Sequence, residues 1–179
     1  MNRRLQVWCV VGLLAAGAVA AHAAESFRIV PIVGDDKVLV SFELADAFTD
    51  EVREAISSGL RTTFTYEIEL RMVVPVWVDP IICTATVAAT DQYDNLTRRH
   101  SLSRTIDGRV EEAKSIPADA AVVKRWLTTL TRLPLCQTSK LDASRDYYVR
   151  ISARARPRGS SLLGWANPVV GQTKFTFIP

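Results

Sequence analysis

The segment that decides the fold is Thr63-Phe64-Thr65-Tyr66-Glu67-Ile68-Glu69-Leu70-Arg71-Met72. Apolar and polar side chains alternate along it with a period of two, and Pro75 closes the pattern. Because successive side chains of a strand point to opposite faces, this pattern predicts a long strand with one face buried and the other solvated. Glu67 and Glu69 fall on the solvated side, which is typical of an ordinary sheet surface and not of a catalytic carboxylate pair.

Further strands are predicted on both sides of this segment. The turn Gly34-Asp35-Asp36-Lys37 separates two short apolar runs, so it predicts a hairpin, and Asp107-Gly108 is a second tight-turn signal. The residues from Asp91 to Asn95 have turn composition. The predicted strands cover Phe27–Val33, Val38–Leu44, about Val76–Thr90 with an interruption at Asp79-Pro80, Arg98–Ile106, a segment from Arg109, Asp146–Arg156 and about Gln172–Ile178.

Two short helices are predicted among the strands. Thr49 can cap the first helix, with acidic residues in its first turn, and Gly59 is its expected end. The second is expected from Pro117 to about Arg132, with Trp126 on its apolar stripe and Pro134 beyond it. Neighbouring strands not separated by helices favour a mainly β (α+β) fold: an antiparallel sheet or two-sheet sandwich with two helices packed on it.

Residues 1–23 have the three parts of a secretory signal peptide. Arg3 and Arg4 precede an apolar stretch, and Ala21-His22-Ala23 supplies the small residues at which cleavage after Ala23 is expected. The alternative is an anchor that is retained. Removal of 23 of the 179 residues leaves 156 in a single β-rich domain, residues 24–179, and lowers the net charge from +3 to +1 by two arginines. We therefore expect a periplasmic or extracellular protein and no nucleic-acid partner.

Two cysteines, Cys83 and Cys136, lie outside the predicted signal peptide. In an oxidising compartment such a pair is a candidate disulfide. The alternative is two separate buried thiols, since a free cysteine packs as a small apolar side chain.

Parts of the sequence resemble a known family. The resemblance lies in the stretch from Leu60 to Leu70, at Trp77 and in the segment Tyr93-Asp94-Asn95-Leu96-Thr97-Arg98. These parts are similar to domain-of-unknown-function family 4390, a group of exported bacterial proteins. The predicted strand Tyr147–Arg156 is also similar to a late strand of that family. The resemblance implies an envelope location and a β-rich fold. It implies no activity, because the family has none established, and it transfers no catalytic residue.

No catalytic or metal-binding motif is found in the sequence. His100 is the one histidine outside the predicted signal peptide. No cysteine or carboxylate stands beside it at the spacing of a zinc site, and the sequence has no Gly-x-Ser-x-Gly motif, which would indicate a serine hydrolase. Because His100 stands among Arg98, Arg99 and Arg104 on a predicted strand, we expect it on a solvated face. The sequence predicts no cofactor, no metal and no catalytic residue.

The candidate binding residues form a basic strand face followed by an apolar loop. Arginines at even spacing share one face of a regular strand, and an exposed apolar loop beside them suits a membrane interface or a partner groove. The alternatives are an ordinary solvated face and a loop folded back on the core. The residues are Arg150, Arg154, Arg156 and Arg158 for the face, and Leu162, Leu163 and Trp165 for the loop.

These features favour a non-enzymatic exported envelope protein. It would act as a binding or scaffolding module whose partner is an anionic membrane surface or an envelope protein. Two alternatives are an envelope hydrolase with an unrecognised site and a carrier of a small apolar ligand. A charged cluster buried in a deep pocket would favour the hydrolase, and an empty apolar cavity would favour the carrier.

Overall fold

The computed structural model describes residues 27–157 and 168–178. Within them lie nine strands and two α-helices, with a single 3-10 turn at Thr138–Lys140. In chain order these elements are β1 Phe27–Gly34, β2 Lys37–Leu44, α1 Asp50–Ser57, β3 Thr62–Met72, β4 Ile81–Asp94, β5 Arg99–Ile106, β6 Arg109–Pro117, α2 Ala120–Thr128, β7 Thr129–Gln137, β8 Asp146–Pro157 and β9 Val169–Thr176.

The strands form two antiparallel sheets. The smaller sheet has the order β1-β2-β7 and the larger has the order β6-β5-β4-β3-β8-β9. The predicted hairpin of β1 and β2 is confirmed, and its turn residues Asp35 and Asp36 have φ angles of 52° and 57°. Two successive residues with positive φ match the twist of the strands they connect. The mainly β, α+β fold class is thereby confirmed.

Strand β3 lies inside the larger sheet and supplies the centre of the core. Phe64, Tyr66, Ile68 and Leu70 are all buried, so the predicted alternation is confirmed. The phenol ring of Tyr66 packs against Phe42 of the smaller sheet, with ring centroids 4.7 Å apart. The two sheets therefore share one apolar core, and α1 and α2 pack against the same face of the larger sheet.

The first helix begins and ends close to the predicted positions. The hydroxyl of Thr49 accepts a hydrogen bond from the N–H of Val52, at 3.4 Å. Gly59 follows the C-cap with a φ of 83°, a conformation that glycine adopts without steric cost. The prediction for α1 is therefore confirmed.

The second helix was predicted too long at both ends. Pro117 is the last residue of β6, Asp119 caps α2 by accepting from the N–H groups of residues 121 and 122, and the helix ends at Thr128. The chain then continues as β7, because Leu130 and Leu133 pair with β2 and their side chains fill the core. Pro134 is tolerated there because β7 is an edge strand, the position in a sheet where proline is usually found.

Strand β4 is displaced from its predicted position. It begins at Ile81, not near Val76, and it continues to Asp94, through residues that were predicted to form a turn. Asp91 pairs with Thr62 on one side and Leu102 on the other, and it is fully buried. Strand pairing on both sides therefore overrides the local turn preference.

The prediction that His100 lies on a solvated face is wrong. The residue is 6% exposed, and its Nδ1 lies 3.0 Å from each carboxylate oxygen of Asp91. The register of β5 puts His100 on the same inner face as Leu102, while Arg99 and Ser101 face outward. A buried carboxylate beside the ring satisfies the polar group that this register buries.

Of the two alternatives left open for the cysteines, the structure has the disulfide. Their Cα atoms are 5.7 Å apart, and the bond joins Cys83 of β4 to Cys136 of β7. It therefore crosslinks the larger sheet to the smaller one.

Candidate functional site

The described part of the predicted basic face is balanced by acidic side chains. Arg150 and Arg154 project from β8 beside β3. Arg150 Nη1 lies 3.5 Å from Glu69, and Arg154 Nη1 lies 3.6 Å from Glu67. These glutamates lie on the outer side of β3, as predicted. The pairing offsets much of the positive charge on which the predicted anion contact depends.

The other predicted binding residues have no structural description. The side chain of Arg156, together with Arg158, Leu162, Leu163 and Trp165, lies outside the described residues. Their proposed role as a surface contact stays a prediction.

A different loop exposes a group of apolar side chains. Between β3 and β4, Val76, Trp77 and Val78 are 103%, 81% and 77% exposed. We call these three residues the apolar tip. The sequence predicts these residues as the start of a strand that is interrupted at Asp79-Pro80, but the strand begins only after the interruption, at Ile81. Pro75 and Pro80 bracket the loop, and proline cannot donate to a strand ladder.

The base of the apolar tip is held by Asp79. One carboxylate oxygen accepts the N–H of Val74 at 2.9 Å, and the other accepts the hydroxyl of Tyr148 at 3.0 Å. The bond from Val74, followed by that from Tyr148 and the charges of Arg71 and Lys174, holds the pKa of Asp79 below its usual range. The carboxylate is therefore kept ionised, and it fixes the loop to β8.

Two backbone hydrogen bonds complete this base. The N–H of Met72 donates to Pro80 O at 3.1 Å, and the N–H of Val73 donates to Asp146 O at 2.9 Å. Beyond them Val76 has a φ of 66°, which is unfavourable for a β-branched residue. A hydrogen-bonded frame therefore holds the base of the apolar tip.

Charges of both signs surround this frame. Arg71 Nε lies 2.8 Å from Glu69 Oε2, and the positive charge of Lys174 acts on Asp79. The surroundings of the apolar tip are therefore close to charge balance, and its main surface property is apolar area.

A cleft of about 330 Å3 lies between α1 and α2. Apolar side chains of both helices form its walls, and the His100 ring, which packs 4.6 Å from the ring of Tyr93, lines it. Burial raises the pKa of the Asp91 carboxyl, and His100 opposes that effect. The lining residues are Phe48, Arg53, Ile56, Ser57, Tyr93, His100, Ala118, Asp119, Ala120 and Val123.

The His100 cleft has part of the arrangement that a hydrolase needs. The Asp91 carboxylate orients the imidazole, as the acid of a catalytic triad does. Among the described residues, however, no hydroxyl is hydrogen-bonded to His100, and Ser57 of the same cleft donates to Glu54 O at 2.9 Å. The cleft can therefore bind a small apolar group and offer it an oriented imidazole, but it does not present an activated nucleophile.

The described ranges contain no metal-binding cluster and no membrane-spanning helix. There, no three side chains of His, Cys, Asp or Glu type are grouped so that they could hold a metal ion. The helices in the same ranges are too short or too polar to cross a bilayer.

The comparisons with known proteins agree with the resemblance noted from the sequence. No curated protein and no solved structure matches the chain. The family model described as "Domain of unknown function (DUF4390)" matches residues 21–159, which is well over half of the chain. This protein therefore belongs to the DUF4390 family.

Proposed function

We propose that this protein is a non-enzymatic, exported envelope protein that binds the surface of a lipid bilayer through the apolar tip. The observation that carries the proposal is the almost complete exposure of three consecutive apolar side chains, Val76, Trp77 and Val78. Single exposed apolar residues are ordinary, but a contiguous group marks an interaction surface. Tryptophan in particular favours the boundary between lipid and water.

The shape of the loop supports a bilayer as the partner. The apolar tip projects beyond the ends of β3 and β4, so its side chains can enter a soft interface together. The fixed base of Asp79, Val74 and Tyr148 reduces the conformational entropy lost on binding. A protein groove is the alternative partner, and the experiment below separates the two.

Binding through the apolar tip would be weak and insensitive to salt. Removing half of the roughly 200 Å2 of a tryptophan side chain from water is worth about 2.5 kcal/mol at about 25 cal/mol per Å2. Half-burial of a valine adds about 1 kcal/mol. Charge attraction would contribute about 1 kcal/mol per unpaired basic residue and would be screened by salt, but the described arginines of β8 are paired.

Export is part of the same proposal. The charged start, apolar stretch and small residues of positions 1–23 support it. So does the Cys83–Cys136 disulfide, because such bonds persist in oxidising compartments. Mass spectrometry of the protein recovered from the envelope fraction should show a start at Ala24, and a species starting at Met1 would contradict cleavage.

Vesicle co-sedimentation tests the membrane proposal. The parent should bind phosphatidylcholine vesicles, and adding phosphatidylglycerol or salt should change the binding little. Trp77→Ser should weaken partitioning roughly 70-fold, which corresponds to the loss of about 2.5 kcal/mol. The matched control is Leu96→Ser, since Leu96 is 95% exposed in the turn at the other end of β4 and should not contribute.

Three outcomes would contradict the proposal. One is equal vesicle binding by the parent and Trp77→Ser. Another is binding that high salt abolishes and that Arg150→Ser with Arg154→Ser removes, because the basic face and not the apolar tip would then make the contact. The third is the absence of parent binding to any vesicle, in which case a protein partner would be left as the ligand of the apolar tip.

The His100 cleft supports small-ligand binding as a second candidate function. Its volume of about 330 Å3 lies in the range of small-molecule sites, and an oriented imidazole can fix one polar group of an apolar ligand. p-Cresol should therefore shift the His100 NMR signals more strongly than toluene, which lacks the hydroxyl. Equal shifts by both compounds, or the same p-cresol affinity in His100→Phe, would contradict this role.

A further inference from the structure

We infer that a second cleft, formed by β5, β6 and α2 beside Trp126, binds an oxyanion such as a phosphate or carboxylate group. Within the described residues, two buried side-chain atoms lack a hydrogen-bond partner: Arg104 Nε and Trp126 Nε1. The two side chains are in contact, since Arg104 Cζ lies 4.2 Å from the Trp126 ring centroid. Folded proteins pair nearly all such groups, so two adjacent unpaired donors leave uncompensated positive polarity in the wall of this cleft.

The same place has unbalanced positive charge. Arg104 Nη2 donates to two neutral acceptors, the carbonyl oxygens of Trp126 and Thr129, at 2.9 and 3.2 Å. In the described part of the chain, no carboxylate lies within ion-pair distance of Arg104. Burial lowers the pKa of Arg104, and the negative charge of Glu112 offsets only part of that lowering. A partly buried cation in this state is stabilised by an added anion.

The cleft surrounds Arg104 with further donors. It has a volume of about 280 Å3, and the side chains that line it include Lys114, Arg125, Thr129 and Thr131. Lys114 lies 4.2 Å from the Trp126 ring centroid and pairs with Glu112, at 3.2 Å. The lining therefore holds three cations, two hydroxyls and one carboxylate, so a ligand with several acceptor oxygens and a negative charge complements it.

Water does not complement this cleft as well as an anion does. A water molecule in the cleft carries no net charge, so it would leave the charge of Arg104 unmatched. Direct contacts with an oxyanion would come from the cleft-lining cations Arg104, Lys114 and Arg125. The orphaned N–H groups of Arg104 and Trp126 would add to the positive potential of the wall.

Titration with inorganic phosphate at constant ionic strength tests this inference. In 1H–15N NMR spectra, the indole N–H signal of Trp126, assigned with Trp126→Phe, should shift and saturate. Lys114→Gln combined with Arg125→Gln should weaken the phosphate affinity at least about tenfold, an effect of roughly 1.4 kcal/mol. Both changed residues are exposed, so the variant should stay folded. Lys124→Gln is the matched control, because Lys124 is an exposed cation of the same helix that does not line the cleft.

Other probes separate the sources of the anion. Acetate in place of phosphate tests a carboxylate ligand, and phosphatidylglycerol vesicles test a lipid headgroup. Trp77→Ser should bind inorganic phosphate with the same affinity as the parent. Phosphate binding at this cleft is therefore tested independently of the membrane proposal. A Trp126 signal that no anion shifts, or a shift that the double variant and Lys124→Gln share equally, would overturn the inference.

Discussion

Breaking the Cys83–Cys136 disulfide should remove a large part of the stability of this protein. The bond closes a chain separation of 53 residues, which includes β5, β6 and α2. In the chain-entropy treatment, releasing a loop of this length lowers the free energy of unfolding by about 4 kcal/mol. Domains of this size are stable by only about 5–15 kcal/mol, so the loss is a substantial fraction of the total.

Urea denaturation, with and without reductant, measures this loss. With a slope of about 2 kcal/mol per molar urea, the midpoint should fall by roughly 2 M. The reduced parent loses only the disulfide bond, because it keeps both sulfur atoms. The double variant Cys83→Ala with Cys136→Ala loses the bond and also the packing of the sulfur atoms. Reduced parent and double variant should therefore unfold at similar midpoints, with the variant slightly lower because Cys136 is buried. Two thiols that react with an alkylating agent in unfolded, unreduced protein would refute the reasoning.

Three further predictions concern single residues. Tyr66→Phe should lower the free energy of unfolding by about 1 kcal/mol, because the Tyr66 hydroxyl donates a hydrogen bond to Leu127 O. Burial raises the Tyr66 pKa, so the parent should also lose stability as pH rises above about 10, where the phenol of the unfolded chain ionises. The variant should lose less stability over the same pH range. Gly171→Ala should lower the melting temperature, because its Cβ would lie 2.5 Å from Phe27 Cβ, whereas Gly34→Ala meets no atom within 4 Å and is the control. Asp79→Ala should reduce the hydrogen-exchange protection of the Val74 N–H, because the Asp79 carboxylate accepts its hydrogen bond. In the parent this protection should persist above a pH of about 4 and decline as pH falls through the lowered Asp79 pKa. Unchanged protection in the variant would show that the carboxylate does not hold the loop.

The elements that could be predicted from sequence are those whose local signals and tertiary roles agree. In β3 the period of two coincides with a sheet that is buried on one face, so Phe64 to Leu70 were assigned to the correct side. In α1 the cap Thr49 and the terminator Gly59 act within a few residues of the helix that they bound. Such short-range signals do not depend on which other strands are present.

The errors occur where a distant partner decides the local structure. Leu130 and Leu133 fit the apolar stripe of a helix, yet they form β7 because β2 is there to pair with them. His100 was placed by its charged sequence neighbours, whereas its burial depends on the register with β4 and on Asp91, nine residues earlier. The same limit applies to the Trp126 cleft, since Arg104, Lys114 and Arg125 come from three different elements.

The positions of the sites along the larger sheet bear on how they could work together. The apolar tip joins the ends of β3 and β4 next to the pair Leu70 and Cys83, whereas Arg104 lies level with Ala89 and Phe64. Six residues of β3 separate these levels, which is about 20 Å at roughly 3.3 Å per residue. Docking of the apolar tip on a bilayer would therefore leave both clefts open to solvent. The disulfide begins at Cys83, two residues into β4, so it also holds the base of the apolar tip against the smaller sheet. In this arrangement the apolar tip would make the membrane contact, and the clefts at the helix-covered end would bind small ligands. Substitutions in the apolar tip should therefore leave ligand binding in the clefts unchanged, and substitutions in the clefts should leave membrane binding unchanged.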